Sequence, residues 1–426
     1  MRAPPFHRFR LVPRGPRAPR IRGLRRILAQ TPSLTRMSGA CPPVVANENG
    51  IPVHLASEPH HLQWIAADLR HATVIAIDSE SNSLHAYTEK VCFVQIRGQH
   101  AIYLVDTIAL RDLRVLAEPL QNPRILKLLH GADYDVSCMK RDFGIALRPI
   151  FDTMLAAQVL GLEHVGLGAV VHHATGVVLE KDHAKHDWGA RPLDRRYIPY
   201  LAGDVAYLHD THRALQSQLE ACNRSEAAYI EFYRVEQMEW KRPDQPDPDA
   251  FRRIKGSRDL DQVGLSILKE TAALREQLAA QRDVPPFRIL GNAQLLTLAA
   301  RQPRSESELR RLPGMGRGVD RLAKPLFEAV QRGVRNSADV PLRLPSTGER
   351  KDRREEALEE DLRSWRRSAV QRDQVPPLVV LPNHVLERLV RERPANHAQL
   401  ETVVGMGIQR IKDYGDEILR VLNARR

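Results

Sequence analysis

The chain has 426 residues, with 64 Lys+Arg against 52 Asp+Glu, a formal charge of +12, and a hydrophobic fraction of 42%. That fraction excludes a wholly disordered chain. No apolar run approaches the roughly 18 residues of a membrane span, which excludes a transmembrane protein. Four cysteines (Cys41, Cys92, Cys138 and Cys222) lack metal-ligand spacing and are too few for a disulfide scaffold, so a reducing, cytoplasmic compartment is expected.

A charge of +12 suggests a nucleic-acid binder, but its distribution matters more than its size. Residues 1–36 hold ten arginines and no acid. Residues 37–220 carry a net −5, and residues 221–426 a net +7. The Pro- and Arg-rich start is expected to be a disordered tail over residues 1–45. Three readings of it stay open: an RNA-contacting arm, an organelle-targeting segment, or an extension upstream of a working start near Met37.

After the tail, residues 51–107 read as β-rich with one helix. HLQWIAADLR (61–70) has helical apolar spacing, and HATVIAID (71–78) is a buried-strand pattern ending in an acid. VCFVQIRG (91–98) and AIYLVD (101–106) read as a hairpin around Gly98. RILKLLH (124–130) follows as a strand, and DYDVSCMKRDFG (133–144) as a helix stopped by Gly144. Residues 151 to about 222 are mostly helical. The alternation of strand and helix predicts one α/β domain. KRPDQPDPDA (241–250) has the composition of a linker, and a second break falls at 338–356.

The two C-terminal blocks are a repeat. QRDVPPFRILGNAQLL (281–296) resembles QRDQVPPLVVLPNHVL (371–386), and an offset of 91 then pairs Asn292 with Asn383, Pro303 with Pro394 and Gly314-Met315-Gly316 with Gly405-Met406-Gly407. Each copy is expected to be a small helical bundle with an accessory role.

Chemistry points to a few acids. Asp78 and Glu80 end an apolar strand two residues apart, so both carboxylates project from one face. Such a pair is unfavourable unless a cation sits between them, and hard oxygen donors suit Mg²⁺ or Mn²⁺. Asp135 follows the next buried strand on a helix, whereas Asp133 lies nearer the helix start and reads as a cap. Tyr200 and Asp204 lie four apart, on one face of a helix. Acids converging from three separated elements can hold two divalent ions for phosphodiester cleavage, with the tyrosine orienting the attacking water.

These residues resemble the ribonuclease D family, DEDD-type 3′→5′ exonucleases of the tyrosine subclass. The motifs are IAIDSES (75–81), LHGADYDVSCM (129–139) and the YxxxD of Tyr200 and Asp204, with FDTMLAAQVLG (151–161) and DWGARPL (187–193) between them. The repeats resemble HRDC domains. The resemblance implies an RNase H-like α/β exonuclease domain, a mixed sheet flanked by helices, at 46–240. All-α HRDC bundles follow at 258–336 and 357–426, with linkers at 241–257 and 337–356. It implies catalysis by Asp78, Glu80, Asp135, Tyr200 and Asp204, with two metal ions on the four carboxylates. The resemblance further implies that nucleoside 5′-monophosphates are released from RNA with a free 3′ end, tRNA precursors being the expected substrate. Ser81 follows Glu80 where many members carry a bulky residue, which bears on how the terminal nucleotide is gripped.

Further substrate contacts are expected from His85 and Tyr87 beyond the first motif, from Gln95 on the neighbouring strand, from Trp188, and from Arg191 as a phosphate holder. His130 is expected at the Asp135 turn, supporting it or the substrate. No organic cofactor and no membrane partner are implied, and a monomer is assumed. Two other functions compete: a 3′→5′ DNA exonuclease of repair, weakened by the lack of a GxxxxGK[ST] loop, and a non-catalytic RNA-binding protein.

Overall fold

The computed structural model describes residues 41–179, 186–240, 247–342 and 353–425. The Arg-rich start up to residue 40, the Lys- and His-rich stretch 181–185, the start of the first expected linker and the centre of the second lie outside the described residues.

The described chain begins with a hairpin of β1 (Val44–Glu48) and β2 (Ile51–Ala56). Asn49 and Gly50 turn it with φ of 50° and 79°, the left-handed pair a two-residue hairpin turn requires. β1 therefore starts inside the stretch assigned to the tail. Helix α1 (Pro59–Leu69) buries Leu62, Ile65 and Leu69 at helical spacing and leads to β3 (Val74–Ser81). β4 (Val91–Arg97) and β5 (Ile102–Asp106) form the expected hairpin, closed by Gly98 N–H donating to the Ala101 carbonyl at 2.9 Å. α2 (Ala117–Gln121), β6 (Leu126–Leu129) and α3 (Asp133–Phe143) follow, and Gly144 stops α3 at φ 66°. Ile150–Asp152, which reach into the stretch expected to be mostly helical from residue 151, form a short edge strand β7. α4 (Thr153–Leu160), α5 (Leu167–Thr175), α6 (Ile198–Ala206), α7 (Leu208–Ala221) and α8 (Ser225–Glu236) complete the domain.

Among the described residues one sheet runs in the order β1-β2-β5-β4-β3-β6-β7. β3 pairs antiparallel with β4 and parallel with β6, so the sheet is mixed and β3 is interior. This is the expected α/β architecture, with the DxE strand held by ladders on both edges.

Two all-α modules follow. The first holds α9 (Gln262–Arg282), α10 (Pro286–Ile289), α11 (Asn292–Arg301), α12 (Glu306–Arg310), α13 (Arg317–Asp320) and α14 (Ala323–Arg335). The second holds α15 (Arg353–Asp373), α16 (Pro377–Val380), α17 (Asn383–Glu392), α18 (His397–Thr402) and α19 (Ile408–Asn423). The repeat extends to side-chain detail: Arg275 donates to Asn292 at 2.7 Å, and Arg366 donates to Asn383 at 2.8 Å. α9 and α14 cross closely at Gly333, where a Cβ would lie 2.5 Å from Ile267 Cα. Phe251 and Ile254 are buried in the core of the first module, so packing begins upstream of residue 258, within the expected linker. Likewise α15 begins at Arg353, inside the second expected linker.

Candidate metal and exonuclease site

β3 delivers Asp78 and Glu80 at the end of an apolar run, and α6 lays Asp204 against them. One carboxylate oxygen from each of Asp78, Glu80 and Asp204 lies within 4.8 Å of the others. Asp135, in the first turn of α3 and 5% exposed, lies near enough to act on Asp78. Its carboxylate accepts the Ser79 hydroxyl at 2.5 Å.

Gathering four acids away from water raises their pKa values. Burial, then Asp135, Asp204 and Glu80, hold Asp78 well above the carboxylate range. Burial and Asp204 push Glu80 up to about 8, against a hydrogen bond from Tyr200 that works the other way. Burial, and secondarily Asp135, push Asp204 up to about 7. Burial raises Asp135 to about 7 as well, opposed by the Ser79 hydroxyl. Oδ2 of Asp204 is buried without a hydrogen-bond partner. An all-oxygen donor set with mutual repulsion and an unsatisfied acceptor fits a hard divalent cation.

Tyr200 stands one turn before Asp204, and its hydroxyl hydrogen-bonds the Glu80 carboxylate. Burial first, and the neighbouring acids after it, push its phenol far up, so it stays a proton donor.

The outer residues divide. His85 and Tyr87 sit on the loop after β3, at the contact with the first module: Arg288 donates to His85 Nδ1 at 2.8 Å, and Tyr87 N–H donates to Asp283 at 3.2 Å. Gln95 does not reach the surface. It is 0% exposed, faces Asp78 directly across the β3–β4 ladder, and both its amide atoms lack partners. The expectation of substrate contact fails there because β4 is covered on both faces. His130, partly exposed, is tied to Thr153 Oγ1 at 2.9 Å, which places it as a support for the turn.

Trp188 is 1% exposed, which rules out base stacking in this conformation. Arg191 spends all its donors inside the protein. Nε and Nη2 fork onto Asp106 at 2.7 Å each, Nη1 donates to the carbonyls of Trp188 and Ala190, and Nη2 also reaches the Cys92 carbonyl. A guanidinium with five bonds has none left for phosphate.

Three supporting residues went unnoticed in the sequence: Ser79, Asp106 and Asp152. Asp152 is fully buried and accepts from the N–H groups of Gly131, Ala132, Met154 and Leu155, at 2.8 to 3.1 Å. It thereby fixes the turn into α3 and caps α4. The Asp-Thr pair at a helix start was its visible signal.

Known proteins share this layout. The 3′-5′ exonuclease family matches residues 53–220, and the HRDC domain family matches residues 264–330 and 355–422. Ribonuclease D of Sphingobium indicum is 31% identical over 265 residues, 61% of this chain and 67% of that protein. The chain belongs to the ribonuclease D family. Ribonuclease D of Gluconacetobacter diazotrophicus is 29% identical over 87% of this chain and 93% of its own length. Among solved structures, Escherichia coli RNase D, an exoribonuclease involved in structured RNA processing, superposes with a TM-score of 0.63 at 22% identity, covering 87% of this chain and 99% of that one. As a ribonuclease D the chain is a 3′→5′ exoribonuclease. Among the described residues no helix is long and apolar enough to cross a membrane.

Proposed function

We propose that the chain trims RNA 3′ ends by two-metal-ion phosphodiester hydrolysis, releasing nucleoside 5′-monophosphates, and that tRNA precursors are its substrates. The observation that carries this is the convergence of Asp78, Glu80 and Asp204 within 4.8 Å, with Asp135 beside them and Tyr200 bonded to Glu80. Asp78, Glu80, Asp135 and Asp204 would hold Mg²⁺ or Mn²⁺. Bound divalent ions supply Lewis-acid neutralisation of the charge that builds on the phosphodiester oxygens. Tyr200 keeps its proton and holds it toward Glu80, the place from which it can orient a water for attack on the terminal phosphorus.

The scaffold fits a substrate that is largely backbone. The acidic catalytic block needs cations before phosphate can approach, and the net +7 of residues 221–426 supplies attraction along the strand. The four cysteines are free thiols, consistent with a cytoplasmic protein. The test is a 3′-extended tRNA incubated with Mg²⁺ and mapped at single-nucleotide resolution. Stepwise trimming by the wild type and none by an Asp78→Ala, Asp204→Ala double variant supports the reading. Undiminished trimming by the double variant sinks it.

A further inference from the structure

Trp188 and Arg191 are turned inward in this structure, and Trp188 stacks on Tyr200 while Arg191 holds Trp188. We propose that Trp188, locked by Arg191 and Asp106, is a positioning residue for Tyr200. This rests on the role given above to Tyr200.

Tyr200 is the third residue of α6, in its first turn. A rotamer change at χ1 would carry the hydroxyl away from Glu80. The Trp188 ring blocks that movement. It lies nearly parallel to the Tyr200 ring, at 19°, with centroids 5.6 Å apart, an offset stack.

Trp188 in turn has no freedom. Phe93 meets its ring edge-on at 6.4 Å, Tyr197 at 5.8 Å and His186 at 4.9 Å. Its carbonyl accepts from Arg191 at 2.7 Å. The Arg191 guanidinium lies 4.3 Å over the Phe93 ring and forks onto Asp106, the last residue of β5. Asp106 is fixed by accepting from the N–H groups of Ile108 and Ala109 at 3.0 and 3.1 Å. Phe93 itself pairs with Glu80 across the β3–β4 ladder and with Asp106 across β4–β5. The sheet that carries Asp78 and Glu80 therefore also fixes where the tyrosine stands. An error of about 1 Å in such a group can cost on the order of a hundredfold in rate.

The experiment measures kcat and KM on a single-stranded RNA oligonucleotide with Mg²⁺, and Mn²⁺ binding by calorimetry, for the full chain. The variants are Trp188→Leu, which keeps an apolar side chain but removes the ring plane, Trp188→Phe, Arg191→Met, Tyr200→Phe and the Trp188→Leu, Tyr200→Phe double. Trp188→Leu and Arg191→Met are expected to lower kcat roughly ten- to a hundredfold with KM and Mn²⁺ affinity held, and Trp188→Phe to recover most of the loss. The double variant should be no slower than Tyr200→Phe alone, because one residue acts through the other. Losses that multiply, or a raised KM at unchanged kcat, overturn the proposal and mark Trp188 as acting elsewhere. Full activity in Tyr200→Phe would overturn the role of the tyrosine, and this proposal with it. If Trp188→Leu does not fold, Arg191→Met carries the same comparison against Tyr200→Phe.

Discussion

The carboxylate of Glu226 on α8 accepts the backbone N–H groups of Ile408 and Gln409, at 2.9 and 2.7 Å, and so caps the last helix of the chain from another domain. The first N–H groups of a helix have no partner within it and carry the positive end of its dipole. A carboxylate from the exonuclease domain meets both needs and fastens the second module. Glu226→Ala should destabilise the protein by about 1 kcal/mol, the usual cost of a lost cap. Chemical denaturation would show it as an earlier midpoint, with the exonuclease rate of the folded enzyme unchanged.

The acid cluster should weaken the metal-free protein. Replacing Asp204 by Asn removes one member of a set whose charges oppose one another after burial. Asp204→Asn is expected to abolish measurable trimming and yet raise the melting temperature in chelator. A lower melting temperature in chelator would mean that the repulsion is not what the site stores.

The same cluster sets a pH dependence. Glu80 has its pKa raised from 4.5 to about 8, so between those values the folded chain holds a proton that the unfolded chain has released. Stability then falls as pH rises through that window, since the folded state binds more protons there. Melting curves in chelator should decline from roughly pH 4.5 to 8, and millimolar Mg²⁺ should flatten the decline by replacing the proton with a cation. A profile in chelator that rises over this range contradicts the burial of Glu80.

The first module touches the loop after the DxE strand through Arg288–His85 and Asp283–Tyr87. These contacts are polar and partly exposed, so each is worth at most about 1 kcal/mol. An Asp283→Ala, Arg288→Ala double variant should raise KM for RNA up to about fivefold at constant kcat. A fall in kcat instead would place the first module in the chemistry itself.

The spacing of the chain revealed its acids because spacing is what the chemistry constrains. Asp78 and Glu80 must share a strand face, and Tyr200 and Asp204 a helix face, and both patterns are visible in one dimension. Burial is not. Gln95 is one polar residue in an apolar run, compatible with a solvated strand face until β4 proves covered on both sides. Arg191 reads as a phosphate ligand until Asp106, 85 positions away, is seen to consume it. β7 is three residues long, too short for any alternation to register. The contacts of the modules with His85 and with Glu226 span about two hundred positions, and no local pattern announces them.

The two copies of the repeat keep the same internal clasp, Arg275–Asn292 in one and Arg366–Asn383 in the other, but attach to their neighbour in different ways. The second copy presses Leu378 and Val379 against the hydrophobic core of the exonuclease domain, while the first meets the loop after the DxE strand through polar groups. The two copies therefore do different mechanical jobs. The second is a fixed foundation, because moving it would uncover part of the catalytic domain's core. The first meets its loop through polar contacts that cost little to break, so the loop after the DxE strand can shift against it without unsettling the fold.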